Sequence, residues 1–372
     1  MTKELIWHGP IWGQSGYEVL TRGMIIALDK IGIKVKIDHA ESWNRESLDL
    51  PWEIRHRLER MVGNKVGAMA PVIMHQKEQP IVKSINPDAK RYCYTLFETD
   101  HLPEPWIKGL KRMNSIFTFS DFNKRCWVNN DNIPEDKIHV LPWGVDENFK
   151  PNGPRAQILN AKGYNFLANG DFTERKNFEA LIEAYVTEFK PNEDVALILK
   201  AHQGGFTQAH KDALRSKIMS LVKMFTDNPP KILFFPDKIS TEDMAALYRA
   251  CQCLVMPTRG EGLGLPVVEA MACGLPVIAT NGRALDELNF HGYLLIPKEE
   301  TINSIEYIKK CPHALNHKWL SIDVDELKVC MRSAYINKEF MKQAGEINSS
   351  IACGRTWHEA AIKIAEVLYG TN

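Results

Sequence analysis

The sequence predicts an α/β protein with two doubly wound domains, each a parallel sheet covered by helices on both faces. Three observations support this fold class. The chain has 372 residues, which is enough for two domains. Short apolar runs alternate with amphipathic stretches along most of it, as expected when strands and helices alternate. The alternation stops over residues 146–163, where two prolines and two glycines indicate a linker.

Residues 1–150 are predicted to form the N-terminal Rossmann-like domain. Its first helix follows the first strand, because Tyr17, Leu20, Met24 and Ile31 fall on one helical face before Gly32. The predicted strands are 5–9, 35–37, 71–75, 91–97 and 115–119, and the further predicted helices are 52–62, 104–113 and 120–129.

Residues 160–354 are predicted to form the C-terminal domain. Ser240, with Asp243 three residues later, indicates a helix N-terminus. We expect the last amphipathic stretch, 355–372, to be a helix that packs back on the N-terminal domain. The two sheets should face each other across a cleft and bind a ligand at their carboxyl ends. The predicted strands are 165–170, 195–201, 231–236, 253–257, 276–280 and 293–297, and the predicted helices are 177–189, 207–226, 240–250 and 265–273.

Composition and charge exclude several classes of protein. With 46 Lys+Arg against 46 Asp+Glu, the chain is neither disordered nor a polyanion-coating protein. It lacks a signal-peptide pattern and an apolar run of spanning length, so we expect a cytoplasmic protein, with peripheral membrane contact left open. The 8 cysteines form no CxxC pair, which favours buried reduced thiols over disulfides or zinc.

The most informative motif covers residues 259–280, between a predicted strand and a predicted helix. Gly262 and Gly264 allow the backbone amides to approach a ligand closely. Glu261 and Glu269 are eight residues apart, so the loop and the helix can direct both carboxylates at one pocket. Because a carboxylate accepts hydrogen bonds from two vicinal hydroxyls, the motif suits a ligand with hydroxyls at both ends and phosphates between them. A nucleotide-sugar is such a ligand.

Two other segments join a predicted strand to a predicted helix. In Gly170–Asn177, Arg175 and Lys176 stand at the helix entry, where the helix N-terminus already favours anions such as a diphosphate. Gly9–Gly16 is a glycine loop in the N-terminal domain. It lacks the GxGxxG spacing and is a weak signal on its own.

These elements and the segment GVDENFKP (144–151) together resemble the retaining glycosyltransferases of the GT-B fold, and most closely the large family four of nucleotide-sugar transferases. SDFNKRCW (120–127) and TWHEAA (356–361) also resemble that family, so the resemblance covers nearly the whole chain. It implies a GT-B fold and a retaining hexosyltransferase that moves a sugar from a UDP- or GDP-sugar to an acceptor hydroxyl.

The resemblance also implies roles for individual residues. Glu261 would hold the donor sugar near the reacting carbon, and Glu269 would hold the ribose. Arg175 and Lys176 would neutralise the leaving diphosphate; which one matters more stays open, because Asp171 stands where a common family form has an arginine. The other implied donor contacts are the amides of Gly262, Leu263, Gly264 and Leu265, and the loop glycines Gly13 and Gly16, which would let their loop close over the phosphates.

The expected mechanism follows from the charges that develop as the sugar–phosphate bond breaks. Cations and amides that stabilise the leaving diphosphate lower that barrier. We expect the acceptor to attack from the face that the diphosphate leaves, with attack by a carboxylate nucleophile as the competing route. No Asp-x-Asp metal element lies in the donor loops, so no metal or other cofactor is expected.

Candidate acceptor-side residues follow the predicted strand 91–97. They are Glu98, Asp100 and His101, together with Trp12 beside the glycine loop, whose ring suits stacking on a sugar. The acceptor is expected to be a sugar, a glycolipid, a protein or a small metabolite.

Other interpretations stay open. The carboxylates and cations have ordinary explanations as exposed residues at helix starts, and His101 as a hydrogen-bonded loop residue. Two alternative functions are a nucleotide-sugar-binding protein that acts as an epimerase or a non-catalytic module, and a transferase acting on a modified nucleic-acid base. The last is disfavoured, because residues 1–150 carry no basic excess.

Overall fold

The computed structural model describes residues 3–13, 15–38, 50–75 and 86–370. The chain divides into two compact units. The first contains Met1–Asp146 and Arg355–Asn372, and the second is Glu147–Gly354.

The first unit contains a six-stranded parallel sheet with the strand order β2-β1-β3-β4-β5-β6. Its core lies between the sheet and its helices and includes Val72, Ile116 and Trp127, all fully buried. The strands are β1 (Glu4–His8), β2 (Lys34–Asp38), β3 (Val72–Met74), β4 (Arg91–Tyr94), β5 (Ser115–Thr118) and β6 (Ile138–Val140), and the helices before the second unit are α1 (Gly16–Lys30), α2 (Trp52–Gly63), α3 (Glu104–Lys111) and α4 (Asp121–Asn129).

The second unit contains another six-stranded parallel sheet, with the order β12-β11-β10-β7-β8-β9. Its strands are β7 (Tyr164–Asp171), β8 (Val195–His202), β9 (Lys231–Phe234), β10 (Cys253–Met256), β11 (Val277–Thr280) and β12 (Gly292–Leu295), followed by an antiparallel pair of β13 (Lys298–Thr301) and β14 (Lys318–Ser321). Its helices are α5 (Phe178–Glu188), α6 (Gln208–Lys223), α7 (Thr241–Ala250), α8 (Leu265–Ala272), α9 (Ile305–Lys310), α10 (Val324–Ile336) and α11 (Lys338–Ala352).

The last helix, α12 (Trp357–Tyr369), belongs to the first unit and packs on α1. The contact is close at Gly23, where an added Cβ would come within 2.4 Å of the Trp357 indole nitrogen. Tyr369 donates a hydrogen bond of 2.7 Å to the carbonyl of Glu4, which ties the end of this helix to the first strand.

The two parallel sheets confirm the predicted fold class. Local signals were also correct: the Ser240 hydroxyl accepts a hydrogen bond from the Asp243 amide at 3.0 Å and begins α7. Residues 298–354, for which no elements were predicted, contain β13, β14 and α9–α11, and β6 was not predicted either. β13 has the sequence KEET, which lacks the apolar alternation that indicates a strand, and all four of its residues are exposed.

The described residues also bear on the expectations about cysteines, membranes and metals. Among the described residues, the eight cysteines form no disulfide, and five of them are buried. In the described part of the chain, no helix combines the length and the apolar character needed to cross a bilayer. Residues 3–13, 15–38, 50–75 and 86–370 contain no group of three His, Cys, Asp or Glu side chains placed to hold a metal ion.

Candidate active site

The candidate donor site is built on two loops that leave adjacent strands. β7 pairs with β10 in the second sheet, so the segments that follow them emerge side by side. The first is a short 3-10 helix, Glu174–Lys176, and the second is the loop 257–264, which leads into α8. Asn177 joins them: its backbone is left-handed, with φ of 57°, and its side-chain amide donates to the carbonyl of Pro257 at 3.1 Å.

Arg175 connects these two segments more extensively. Its guanidinium donates to the carbonyl of Gly260 at 2.6 Å. Its own carbonyl accepts a hydrogen bond from the Arg259 amide at 2.7 Å and lies 3.2 Å from the Thr258 hydroxyl oxygen. The loop therefore depends on a residue more than 80 positions away in sequence.

Glu261 is the charged centre of this site and is buried. Its Oε1 lies 2.7 Å from Lys176 Nζ, 3.2 Å from Arg175 Nη1 and 2.9 Å from the Thr258 hydroxyl, which donates to it. Burial alone would raise the pKa of this carboxyl. The charges of Lys176 and Arg175, with the hydrogen bonds from Lys176 and Thr258, outweigh burial and hold the pKa below its usual value.

The structure thus brings together the three residues predicted to be catalytic: Glu261, Arg175 and Lys176. It also shows what the sequence analysis missed, namely that both cations pair with Glu261 itself. A carboxylate, an ammonium and a guanidinium in one partly desolvated cluster can accept hydroxyl hydrogen bonds and attract an anion at the same place.

Gly264 allows the loop to turn into helix α8. Its φ is +84°, in the left-handed region, and an added Cβ would come within 2.3 Å of Leu285 Cδ2. Leu263 is buried, and Leu265 begins the helix with Pro266 beside it in the first turn. Gly262 has no positive φ, so any requirement for glycine there concerns space and not backbone conformation.

Glu269 lies one turn into α8 and accepts a hydrogen bond of 2.9 Å from the Tyr248 hydroxyl. That hydroxyl in turn accepts one from the Asn169 side chain at 3.1 Å. Tyr248 is fully buried, and burial, followed by the charge of Glu269, raises its pKa. Tyr248 therefore remains a hydrogen-bond donor that orients the Glu269 carboxylate.

Asp171 ends β7 opposite His202. Its Oδ1 is buried without a hydrogen-bond partner among the described residues. His202 is mostly buried, and its pKa is lowered by burial despite the nearby Asp171 charge. The Asp171 carboxylate therefore lies beside His202 at the end of the strand that leads into the Arg175–Lys176 segment.

In the first unit, the glycine loop Gly9–Gly16 is held by residues of the helix that follows it; Gln14 lies outside the described residues. The Glu18 carboxylate accepts hydrogen bonds from the Gly13 amide at 2.8 Å and from the Ser15 amide and hydroxyl at 2.9 and 2.7 Å. An added Cβ at Gly13 would come within 2.2 Å of that carboxylate. Gly13 is therefore required for packing against Glu18, and Gly16 is the first residue of α1.

Arg22 holds the same loop from inside the unit. Its Nη1 donates to the carbonyls of Ile11 and Gly13 at 2.8 and 2.6 Å. Burial lowers its pKa to about 10, although Glu18 and Asp146 favour the charged form. Glu18 and Arg22 were not predicted, although they are the charged residues in the mostly apolar stretch 16–28 of α1.

The predicted acceptor-side residues Glu98, Asp100 and His101 lie in the loop after β4. Asp131, which was not predicted, anchors this loop: its side chain accepts from the Leu102 amide at 3.0 Å and lies 3.3 Å from His101 Nδ1. Burial raises the pKa of Asp131 against these hydrogen bonds. The half-exposed imidazole of His101 is thus held in place by the buried carboxylate of Asp131.

Most of the described tryptophans of the first unit are core residues. Trp7, Trp106, Trp127 and Trp143 are buried. Trp12, the predicted stacking residue, has the guanidinium of Arg55 5.9 Å from its ring centroid.

Comparison with known proteins identifies the fold, and a family model matches part of the second unit. Residues 163–311 match the family model described as glycosyl transferases group 1. An O-antigen chain mannosyltransferase B of Escherichia coli is 29% identical over 190 residues, covering 49% of this chain and 47% of that protein. An uncharacterized glycosyltransferase of Methanocaldococcus jannaschii is 29% identical over 287 residues, covering 74% of this chain and 71% of that one.

Two solved structures have the same overall fold. Anabaena HepE, crystallised with UDP and glucose, matches with a TM-score of 0.67 at 16% identity over 99% of this chain and 100% of its own. Sucrose-phosphate synthase of Thermosynechococcus elongatus matches with a TM-score of 0.67 at 16% identity over 98% of both chains. These likenesses establish the GT-B fold. The chain spans about half the length of the first curated relative that it matches.

Proposed function

We propose that this chain, a GT-B-fold relative of the group 1 glycosyl transferases, moves a sugar from a nucleotide-diphosphate-sugar to an acceptor hydroxyl. One observation carries the proposal: a buried carboxylate, Glu261, shares two cations, Arg175 and Lys176, beside a glycine loop that enters a helix. A sugar next to a diphosphate matches this arrangement, because hydroxyls donate to the carboxylate and phosphate oxygens accept from the cations.

Leaving-group stabilisation is the main contribution we assign to the site. As the sugar–phosphate bond breaks, negative charge accumulates on the diphosphate. Lys176 and Arg175 are already held in place by Glu261, so they need little reorganisation to receive that charge. The amides at the start of α8 add a favourable dipole. Two fixed cations can provide the charge stabilisation for which other transferases use a divalent metal, so we propose no cofactor.

We further propose that the reaction retains configuration by same-face attack. Glu261 Oε1 faces two cations and a hydroxyl donor, which lowers its basicity and makes it a poor nucleophile. A hydroxyl clamp is the role that suits such a carboxylate. The departing phosphate oxygen then takes the proton of the acceptor hydroxyl.

For the donor we propose a UDP- or GDP-hexose, since a curated relative is named a mannosyltransferase and a structural neighbour was crystallised with UDP and glucose. Glu269, oriented by Tyr248, would hold the ribose. We propose a sugar-like acceptor, free or lipid-linked, bound by the loop that carries Glu98, Asp100 and His101, and we propose that the protein acts in the cytoplasm.

A panel of nucleotide-sugars tests this function. Each is added to the purified protein, and thermal stabilisation, nucleoside-diphosphate release and the anomer of the product are measured. Stabilisation by one nucleotide-sugar, with diphosphate release and a retained anomer, is the expected result. Binding without release would indicate a non-catalytic module, a changed sugar would indicate an epimerase, and an inverted product would contradict same-face attack. No stabilisation by any donor would contradict the donor site itself.

A further inference from the structure

The second unit contains a small substructure that the proposed reaction does not use directly. Between β12 and α10 the chain forms β13, α9, a 3-10 turn and β14, which we call the hairpin insertion (residues 298–321). It has a core of its own, made of Ile302, Ala314 and Trp319, with Tyr307 packed against it. An element with its own core can transmit a fixed position to whatever it touches.

The first contact of the hairpin insertion is with Arg259, two residues before Glu261. The Leu320 amide donates to the Arg259 carbonyl at 2.7 Å. The guanidinium carbon lies 4.8 Å from the ring centroid of Trp319, within the range of a cation–π interaction. Glu300 Oε2 lies 3.5 Å from Arg259 Nη1. The hairpin insertion thus contacts both the backbone and the side chain of Arg259.

The position of the Arg259 side chain depends on its contact with the Trp319 ring. Its Nε is buried and has no hydrogen-bond partner among the described residues. The aromatic face of Trp319 therefore compensates part of the cost of removing the guanidinium from water.

The second contact is with Glu174, which begins the 3-10 turn carrying Arg175 and Lys176. The Ser304 hydroxyl donates to Glu174 Oε2 at 2.6 Å. Ser304 also caps α9 by accepting from the Tyr307 amide at 3.2 Å, so the hydroxyl that contacts Glu174 is fixed by a helix of the insertion.

Both contacts of the hairpin insertion involve residues that are connected to the Glu261 carboxylate. Arg259 connects to Glu261 along the loop, and Glu174 connects through Arg175 and Lys176. We propose that the hairpin insertion fixes the position of the Glu261 carboxylate, and with it the donor sugar, so that Arg259, Trp319 and Ser304 are positioning residues of the donor site. The part that concerns the donor sugar rests on the proposed function.

The test compares three variants of the insertion. Trp319→Leu removes the aromatic face while filling the core, Trp319→Phe keeps a weaker aromatic face, and Ser304→Ala removes the contact to Glu174. Glu306→Gln is the matched control, because its exposed ion pair with Lys310 lies within α9. We expect Trp319→Leu to lower kcat roughly tenfold. Trp319→Phe and Ser304→Ala should have kcat values between those of Trp319→Leu and the wild type, and Glu306→Gln should have the wild-type kcat.

Affinity for the nucleoside diphosphate alone separates positioning from general damage. The sugar contacts Glu261 in our proposal, so Trp319→Leu should weaken binding of the nucleotide-sugar but leave the diphosphate Kd within about twofold. In a Glu261→Gln background, Trp319→Leu should have little further effect on nucleotide-sugar binding, because the carboxylate it positions is gone. Full additivity, or wild-type kcat and KM in all three variants, would overturn the proposal.

Amide hydrogen exchange at residues 258–265 tests the same proposal without any substrate. We expect faster exchange in Trp319→Leu and Ser304→Ala than in Glu306→Gln. Faster exchange in a protein that binds no nucleotide-sugar would refute the proposed function and leave the positioning of the loop intact. Unchanged exchange in an active enzyme would refute the positioning and leave the function intact.

Discussion

The two glycine loops of the molecule are stabilised by contacts of very different sequence range. Residues 9–16 of the first unit are held by Glu18 and Arg22, which belong to the next helix. Residues 257–264 of the second unit are held by Arg175, Lys176 and the hairpin insertion, which lie tens of residues away on either side. The side-chain contacts of the N-terminal loop therefore come from its own helix, although Gly9 at its start also contacts β2 and His75, whereas the side-chain contacts of the donor loop come mainly from distant segments.

The difference also concerns charge. In the N-terminal loop, the Glu18 and Arg22 side chains hydrogen-bond to the backbone of the loop itself. In the donor loop, Glu261 and its cations bond mainly to one another, in a cluster whose charges a ligand can share. The contacts of Glu18 and Arg22 fix the backbone conformation of the N-terminal loop. The cluster around Glu261 also provides charged groups that can bind a ligand.

The largest effect is expected for Lys176→Met. The variant loses the cation closest to Glu261, so the leaving diphosphate is less well stabilised and the buried carboxylate keeps only Arg175 and Thr258. We predict a fall in kcat of at least ~100-fold in a transfer assay with the best donor. Lys217→Met, which removes a half-exposed lysine paired with Glu179, is the control. Normal turnover in Lys176→Met would mean that this lysine only supports Glu261.

The next largest effect is expected in the N-terminal loop, for Gly13→Ala. The new methyl group displaces the Glu18 carboxylate and breaks the hydrogen bonds from Gly13 and Ser15. We predict a loss of about 2 kcal/mol in the free energy of unfolding, measured by denaturant titration.

Gly63→Ala is the matched control for Gly13→Ala. An added Cβ there meets nothing within 4 Å and lies at the end of α2, so stability should not decrease. Equal stability of Gly13→Ala and wild type would show that Glu18 does not hold the loop.

This contrast in sequence range explains what the sequence could predict. The alternation of apolar runs predicted both sheets, and a local signal predicted the Ser240 cap. The pairing of Glu261 with residues 85 positions away depends on β7 lying beside β10, and apolar periodicity does not determine strand order. The hairpin insertion was not predicted, because its first strand, β13, has the entirely polar sequence KEET. Its contact with Arg259 could therefore not be inferred from the sequence.

As the pH falls, the N-terminal loop should lose stability before the donor loop does. His75 packs under the N-terminal loop, with its carbonyl 2.8 Å from the position of a Cβ on Gly9, and burial lowers its pKa from 6.5 to about 3. Its neutral form is favoured in the folded state, so stability is lost as the pH falls from about 6.5 toward 3. The pKa of Glu261 is also lowered, so its contribution is lost only below its usual value of 4.5.

Hydrogen exchange at residues 9–13 and 258–265 between pH 7 and pH 4 measures this order. We expect the N-terminal loop to lose protection first, by up to about 1 kcal/mol per pH unit. The paired variant His75→Phe with Thr21→Val removes the titrating ring and its hydrogen-bond partner, and should abolish that first phase. Loss of protection in the donor loop before the N-terminal loop would contradict the assignment.

The smallest effect is expected for Tyr248→Phe, which tests whether the donor unit positions its second carboxylate from a distance as it does the first. The variant loses the hydroxyl that donates to Glu269 and accepts from Asn169, while the ring remains in the core. A freer Glu269 should bind the ribose less well, and we predict a three- to fivefold weaker nucleoside-diphosphate Kd by calorimetry, equal to roughly 1 kcal/mol. In a Glu269→Gln background the same change should matter less, because Tyr248 acts through that carboxylate. An undiminished effect there would place the role of Tyr248 in the core packing of α7 and not in the donor site.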